Sequence, residues 1–141
     1  LLNPEGFRHA PLSPPGCTLF VQLRQYPGIG REHVALATDK MDWLPGDHSG
    51  IDVMPLYAQD SYRDETWLER WAPESEAGER WYPEGAELFL IEGMLEDEEG
   101  HYLPGHWLRL PAGYAHRPHS EHGCRLYVKT GGFLYLESVA E

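Results

Sequence analysis

Basic residues are scarce in this chain: 11 Lys and Arg stand against 23 Asp and Glu, a formal net charge of -12. A nucleic-acid binder needs a local basic patch against the phosphates, and none is visible, so no nucleic-acid partner is expected. Long apolar runs are missing as well. The longest extend over a few residues, far below the ~20 that a membrane helix needs, so no membrane association is expected. No basic, apolar and small-residue leader pattern opens the chain. The first residue is Leu1 rather than Met, which reads as a trimmed or internal piece. Cysteine is limited to Cys17 and Cys124. A disulfide-stapled domain normally carries more, which predicts a reducing, cytoplasmic setting. Helical periodicity is also lacking: no segment sustains a 3.6-residue apolar period with caps.

Turn formers are abundant, with 15 Gly and 12 Pro, beside 12% aromatic and 41% apolar residues. That composition belongs to a folded chain of many short strands rather than to helices or disorder. The 141 residues suffice for one good-sized domain with its own core. Strand patterns fall at His33–Thr38, Ile51–Tyr57, Glu65–Ala72, Glu87–Gly93, Trp107–Leu110, Arg125–Thr130 and Phe133–Glu137. Met94–Asp97 and His101–Leu103 flank a Glu98-Glu99-Gly100 turn and read as a hairpin. The acidic run Glu96 to Glu99 reads as its solvated tip. Short strands at this spacing predict an all-β sandwich or barrel.

The chain also repeats itself. Pro4–Val21 set over Pro111–Val128, an offset of 107, gives nine identities in 18 positions, including His9/His116, Cys17/Cys124, Leu19/Leu126 and Val21/Val128. Chance would give about one. An offset of this size is that of a small domain. Residues 1–26 therefore read as the terminal strands of a preceding, truncated repeat, residues 26–30 as a linker, and residues 27–141 as the complete domain. The two cysteines read as equivalent small core residues, with a Cys17–Cys124 disulfide as the other possibility. The apolar stretch Cys17–Leu23, deprived of its own sheet, is expected to add to a sheet edge, in its own domain or in a second copy as a swapped homodimer.

Gly105, five residues, Pro111, one residue, Gly113, two residues, His116: this spacing resembles the second signature of the cupin superfamily. Trp107, Arg109 and the run Ser120–Gly131 resemble its ChrR-like subgroup, and Gly16–Tyr26 resembles the segment that joins two cupins in double-domain members. That subgroup contains the C-terminal domains of ChrR anti-sigma factors and acetylacetone-cleaving oxygenases. The resemblance implies a cupin (RmlC-like jelly-roll) barrel and a sensory role linked to a sigma factor, or alternatively a metal-dependent oxygenase. It also implies three His and one Glu on Zn, Fe, Mn or Ni.

Here the chain departs from the family pattern. Counting back from Gly93 puts Arg80 and Tyr82 where two His belong and Ala86 at the Glu position, with Glu87 one residue late; there is no His between Val53 and Gly100. Arg is always protonated and cannot ligate, so a degenerate metal site with no cofactor is expected. If a divalent metal binds, His116 is its ligand, completed by Glu87 or by His119 through a turn at Pro118. His119 and His122 otherwise read as solvated loop residues, His9 as a relic, and His101 and His106 as surface. Arg80, Tyr82 and His116 are expected to point into the barrel mouth with Glu87 and Trp107 as further ligand-binding residues. A buried guanidinium needs an anion, either internal (Glu87 or Glu69) or a bound carboxylate or phosphate. Trp67, Trp71, Trp81 and Trp107 read as core packing or as pocket walls.

Overall fold

The computed structural model describes residues 1–23 and 28–135. Its strands are β1 (Leu44–Pro45), β2 (Ile51–Tyr57), β3 (Glu65–Trp71), β4 (Ser75–Glu76), β5 (Arg80–Tyr82), β6 (Ala86–Gly93), β7 (Leu95–Asp97), β8 (Gly100–Tyr102), β9 (Trp107–Leu110), β10 (Tyr114–His116), β11 (His119–Ser120) and β12 (Cys124–Thr130). All pairings are antiparallel. They form a six-stranded sheet in the order β1-β2-β3-β12-β6-β9, a pair β10-β5, and a four-stranded sheet β4-β11-β7-β8. The fold is all-β and cupin-like, with ladders that do not close into one continuous barrel. No described helix is long and apolar enough to cross a membrane.

Two-residue alternation builds the core. On β6, Ala86, Leu88 and Leu90 face inward; on β12, paired to β3 on one side and β6 on the other, Cys124, Leu126 and Val128 do the same. Ile51, Trp71, Leu108 and Leu110 join them from the flanking strands, and Tyr82 and Leu95 from the smaller sheets, with Ala77 just after β4, close over them. The core thus lies between the large sheet and the two small ones. Pro55 is tolerated inside β2 because β1 pairs only with Asp52 and Val53, so β2 is an edge at that point. Gly93 ends β6 at φ +73, where a Cβ would collide with the Gly123 carbonyl.

Several expectations change. His33–Thr38 is no strand: Val34 makes one bridge to Leu2 and a 3-10 turn follows at Thr38–Lys40. Nearly all of that segment is exposed, so it has no face to bury. Gly132–Tyr135 is a 3-10 turn where a strand Phe133–Glu137 was expected, and residues 136–137 lie outside the described residues, as do 26 and 27 of the expected linker. Asp97 is no solvated tip residue, since its side chain is fully buried. No disulfide links the cysteines; Cys124 is buried, but Cys17 is exposed, contrary to its expected place in a core.

The stretch expected to add to a sheet edge makes no ladder over residues 17–23. It lies across the outer face of the central strands instead. Phe20 stacks on Phe89 at 4.2 Å and meets Tyr127 edge-on at 5.6 Å. Gln22 donates to Glu87 Oε2 and accepts from the Tyr127 hydroxyl, both at 3.2 Å. The place between β3 and β6 is filled by β12, whose Cys124–Val128 resembles Cys17–Val21 in sequence.

Leu126, 1% exposed in the central strand, gives a direct check on this core. Leu126→Ala is expected to cost about 2–5 kcal/mol, read as a lower urea midpoint with an unchanged slope.

Candidate functional site

The turn at Pro111-Ala112-Gly113 returns the chain beside β5. Gly113, at φ +78, donates its amide to the Tyr82 carbonyl at 2.8 Å. β10 then runs antiparallel to β5 with Tyr114 opposite Tyr82 and His116 opposite Arg80. Alternation turns Arg80, Tyr82 and His116 to the inner side and leaves Trp81 and Ala115 outside. The three residues that the cupin resemblance implies should converge share this inner side.

Arg80 meets an internal anion. Its Nη1 lies 2.7 and 2.9 Å from the two oxygens of Glu69, a residue 2% exposed on the inner face of β3. The same carboxylate accepts the indole N–H of Trp67 on Oε1 and of Trp71 on Oε2, each at 2.8 Å. The guanidinium also lies over the Trp71 ring at 5.1 Å. Burial works against the Arg80 charge, but Glu69 outweighs it and the pKa rises. Of the two internal partners considered, it is Glu69 that binds Arg80.

His116 has a partner that sequence reasoning missed. Its Nδ1 lies 2.8 Å from Asp97 Oδ2, and both side chains are buried. Asp97 also accepts from the Tyr102 hydroxyl at 2.8 Å and the Glu99 amide at 2.9 Å. Burial alone would raise its pKa; the hydrogen bond to His116, then the Glu99 amide and Tyr102, overcome this and hold it below the usual carboxylate range. An ionised carboxylate only accepts, so Nδ1 carries the proton. Nε2 is buried without a hydrogen-bond partner among the described residues, and the buried Tyr82 hydroxyl has the Arg80 guanidinium as its neighbour. The available signal for Asp97 was parity with Leu95 on β7, which places both side chains on one face.

The donor set does not suit a divalent metal. His116 offers one imidazole nitrogen; Arg80, Tyr82 and Ala86 stand where the family pattern implies the other three ligands, and both Glu69 oxygens are engaged. No group of three or more His, Cys, Asp or Glu placed to hold a metal occurs among the described residues. Burial pushes the Cys124 thiol up to about 12, so it is a neutral thiol in the core.

The remaining site residues lie elsewhere. Glu87 is buried on the opposite face of β6, under Gln22 and in register with Lys129. Burial raises the Glu87 carboxyl and lowers the Lys129 ammonium, each partly offset by the other's charge. Trp107 is exposed on β9 and opposes Phe89 on that same outer face. His119 is half-exposed, 3.6 Å from Glu96. His9, His101, His106 and His122 are exposed. Beside Arg80 and Tyr82 opens a cavity of about 490 Å³, with Trp67 and Trp81 in its walls.

Two tests follow from the buried charges. Arg80→Met strands the Glu69 carboxylate and is expected to cost about 3–5 kcal/mol by urea unfolding, with partial recovery in the double variant Arg80→Met/Glu69→Gln. For Asp97, the folded pKa is the depressed one. Its contribution is therefore complete above the unfolded value of about 4 and is lost as pH falls through the folded value. The stability gap between the parent and Asp97→Asn should narrow below about pH 4; a constant gap would refute the ionised contact.

The family model for the ChrR cupin-like domain matches residues 31–134. No curated protein matches the sequence. Among solved structures, a candidate acetylacetone dioxygenase from Methylibium petroleiphilum PM1 aligns with TM-score 0.66 and 15% identity over 71% of this chain and 77% of that one. An acetylacetone dioxygenase from Acinetobacter johnsonii aligns with TM-score 0.61 and 14% identity over 82% and 78%. The complex of Rhodobacter sphaeroides SigE with the anti-sigma ChrR aligns with TM-score 0.58 and 14% identity over 67% of this chain and 50% of that one. At such identities the structures share the fold. Matched over most of its length by the family model, the chain belongs to the ChrR cupin-like domain family.

Proposed function

We propose that this chain is a ligand-sensing regulatory domain, a jelly-roll cupin whose metal position is filled by protein. The carrying observation is the Arg80–Glu69 pair, which puts a permanent internal cation where the family pattern calls for imidazoles. The cavity beside it has the size of a small-molecule site. Likeness to a ChrR bound to SigE supports a sigma-factor setting for the signal. A cytoplasmic location fits that setting.

A second reading, a metal-dependent oxygenase using His116, draws on the Asp97–His116 contact. A carboxylate that fixes the imidazole proton on Nδ1 presents Nε2 in the way metal-binding histidines are presented. The outer-face placement of Glu87 and the outward turn of His119 count against a completed shell.

Residues 1–26 keep their reading as the end of a preceding repeat. Leu19 and Val21 are 66% and 60% exposed, whereas their counterparts Leu126 and Val128 are 1% and 0% exposed. The same apolar side supports a homodimer through this arm.

Metal analysis of the purified protein, with melting curves in Fe, Zn, Mn and Ni, separates the two functional readings. The sensing domain is expected to carry well under one metal per chain and to melt at the same temperature in all four. One tightly held metal per chain would overturn the filled-site reading. A chemically mixed panel of small molecules should in turn raise the melting temperature for at least one class.

A further inference from the structure

We propose that the cavity beside Arg80 and Tyr82 takes an organic cation: an ammonium or quaternary ammonium group on a small apolar body. This deepens the ligand-sensing reading and rests on it.

Charge comes first. Among the described residues lining the cavity, the carboxylates are Asp47, Glu65 and Glu69, the one guanidinium is Arg80, and an exposed imidazole, His48, follows Asp47. Arg80 and Glu69 neutralise one another at 2.7 Å. Asp47 and Glu65 are exposed, and neither forms an ion pair with a described residue. The wall therefore keeps an excess of negative charge after its internal pair is discounted. The anion suggested by a buried arginine in the sequence would meet a guanidinium already matched and two carboxylates that repel it. A cation meets the opposite field, reinforced by the chain's net charge of -12.

The aromatic walls point the same way. Trp67 lies on the inner face of β3, its indole N–H held by Glu69, so its ring orientation is set by a buried hydrogen bond. Trp81, on the outward side of β5, also borders the cavity and is 64% exposed, so its ring is accessible. Indole faces attract ammonium groups through the ring quadrupole. Tyr82 adds a polar atom to the wall: it is 7% exposed and lines the cavity, and its buried hydroxyl has the Arg80 guanidinium as its neighbour, with no close hydrogen bond among the described residues. That oxygen can accept an N–H of a primary ammonium or a hydroxyl carried by a quaternary one.

Three probes of one shape isolate charge: choline, its neutral isostere 3,3-dimethylbutan-1-ol, and the anion 3,3-dimethylbutanoate. Each is titrated into the full chain and followed by tryptophan fluorescence and melting temperature. Choline is expected to bind about tenfold or more tighter than the alcohol, with butanoate weakest. Its affinity should fall several-fold as ionic strength rises from about 0.01 to about 1 M. Glu65→Gln and Asp47→Asn, on the exposed rim, should weaken choline several-fold, leave the alcohol unchanged and melt like the parent. Equal binding of choline and the alcohol, tightest binding of butanoate, or insensitivity to both rim variants would overturn the cation while leaving the cavity a ligand site. Failure of all three probes while other panel molecules bind would do the same. If no molecule of any class binds, the ligand-sensing reading itself falls.

Discussion

Glu69 sits in the middle of β3 with its carboxylate turned into the core, a position that an isolated charge could not hold. What makes it tolerable is a complete set of donors: the Arg80 guanidinium from β5 and the indoles of Trp67 and Trp71 from its own strand. This one contact ties the large sheet to the small β5-β10 pair across the interior. It orients Trp67, draws Arg80 away from any ligand, and uses both carboxylate oxygens. Burial of such a pair gives weak evidence of net stability over apolar residues of the same volume, but once present neither partner can be removed alone.

The second buried contact, Asp97 to His116, fixes the one imidazole at a position that the family pattern gives to a ligand. The imidazole is still presented by the turn at Gly113 and still oriented by a carboxylate. What differs is its surroundings: a tyrosine, an arginine and an alanine occupy the other ligand positions. Membership of the ChrR cupin-like family describes the scaffold, which depends on glycines, prolines and alternating apolar residues, whereas chemistry depends on a few inward side chains.

The outer face of the large sheet carries a separate polar layer. Glu87 and Lys129 are neighbours there and nearly inaccessible, with Gln22 and Phe20 laid over the same strands. Glu87 drew attention because it is one residue from a ligand position. In a strand one residue is a change of face, so the smallest register offset moves a carboxylate from the core to the other side of the sheet. The same parity puts Trp107 outside and Asp97 inside.

Local signals in the sequence were enough for the class of fold, the longer strands and the β7-β8 hairpin, since turn residues and two-residue alternation act over a few positions; the convergence of Arg80, Tyr82 and His116 was legible only through the family resemblance. They also sufficed to exclude imidazoles from two ligand positions, because residue identity at a known spacing needs no coordinates. Tertiary structure alone decided that Glu69 rather than Glu87 binds Arg80, that Asp97 leaves the acidic hairpin tip to reach His116, and that Cys17–Leu23 lies over a sheet face instead of joining an edge. Each of these joins residues far apart in the chain or turns on which face a side chain occupies once neighbouring strands have paired. Such outcomes follow from how the whole chain shares out its burial and its pairing slots, and no short stretch of sequence contains that information.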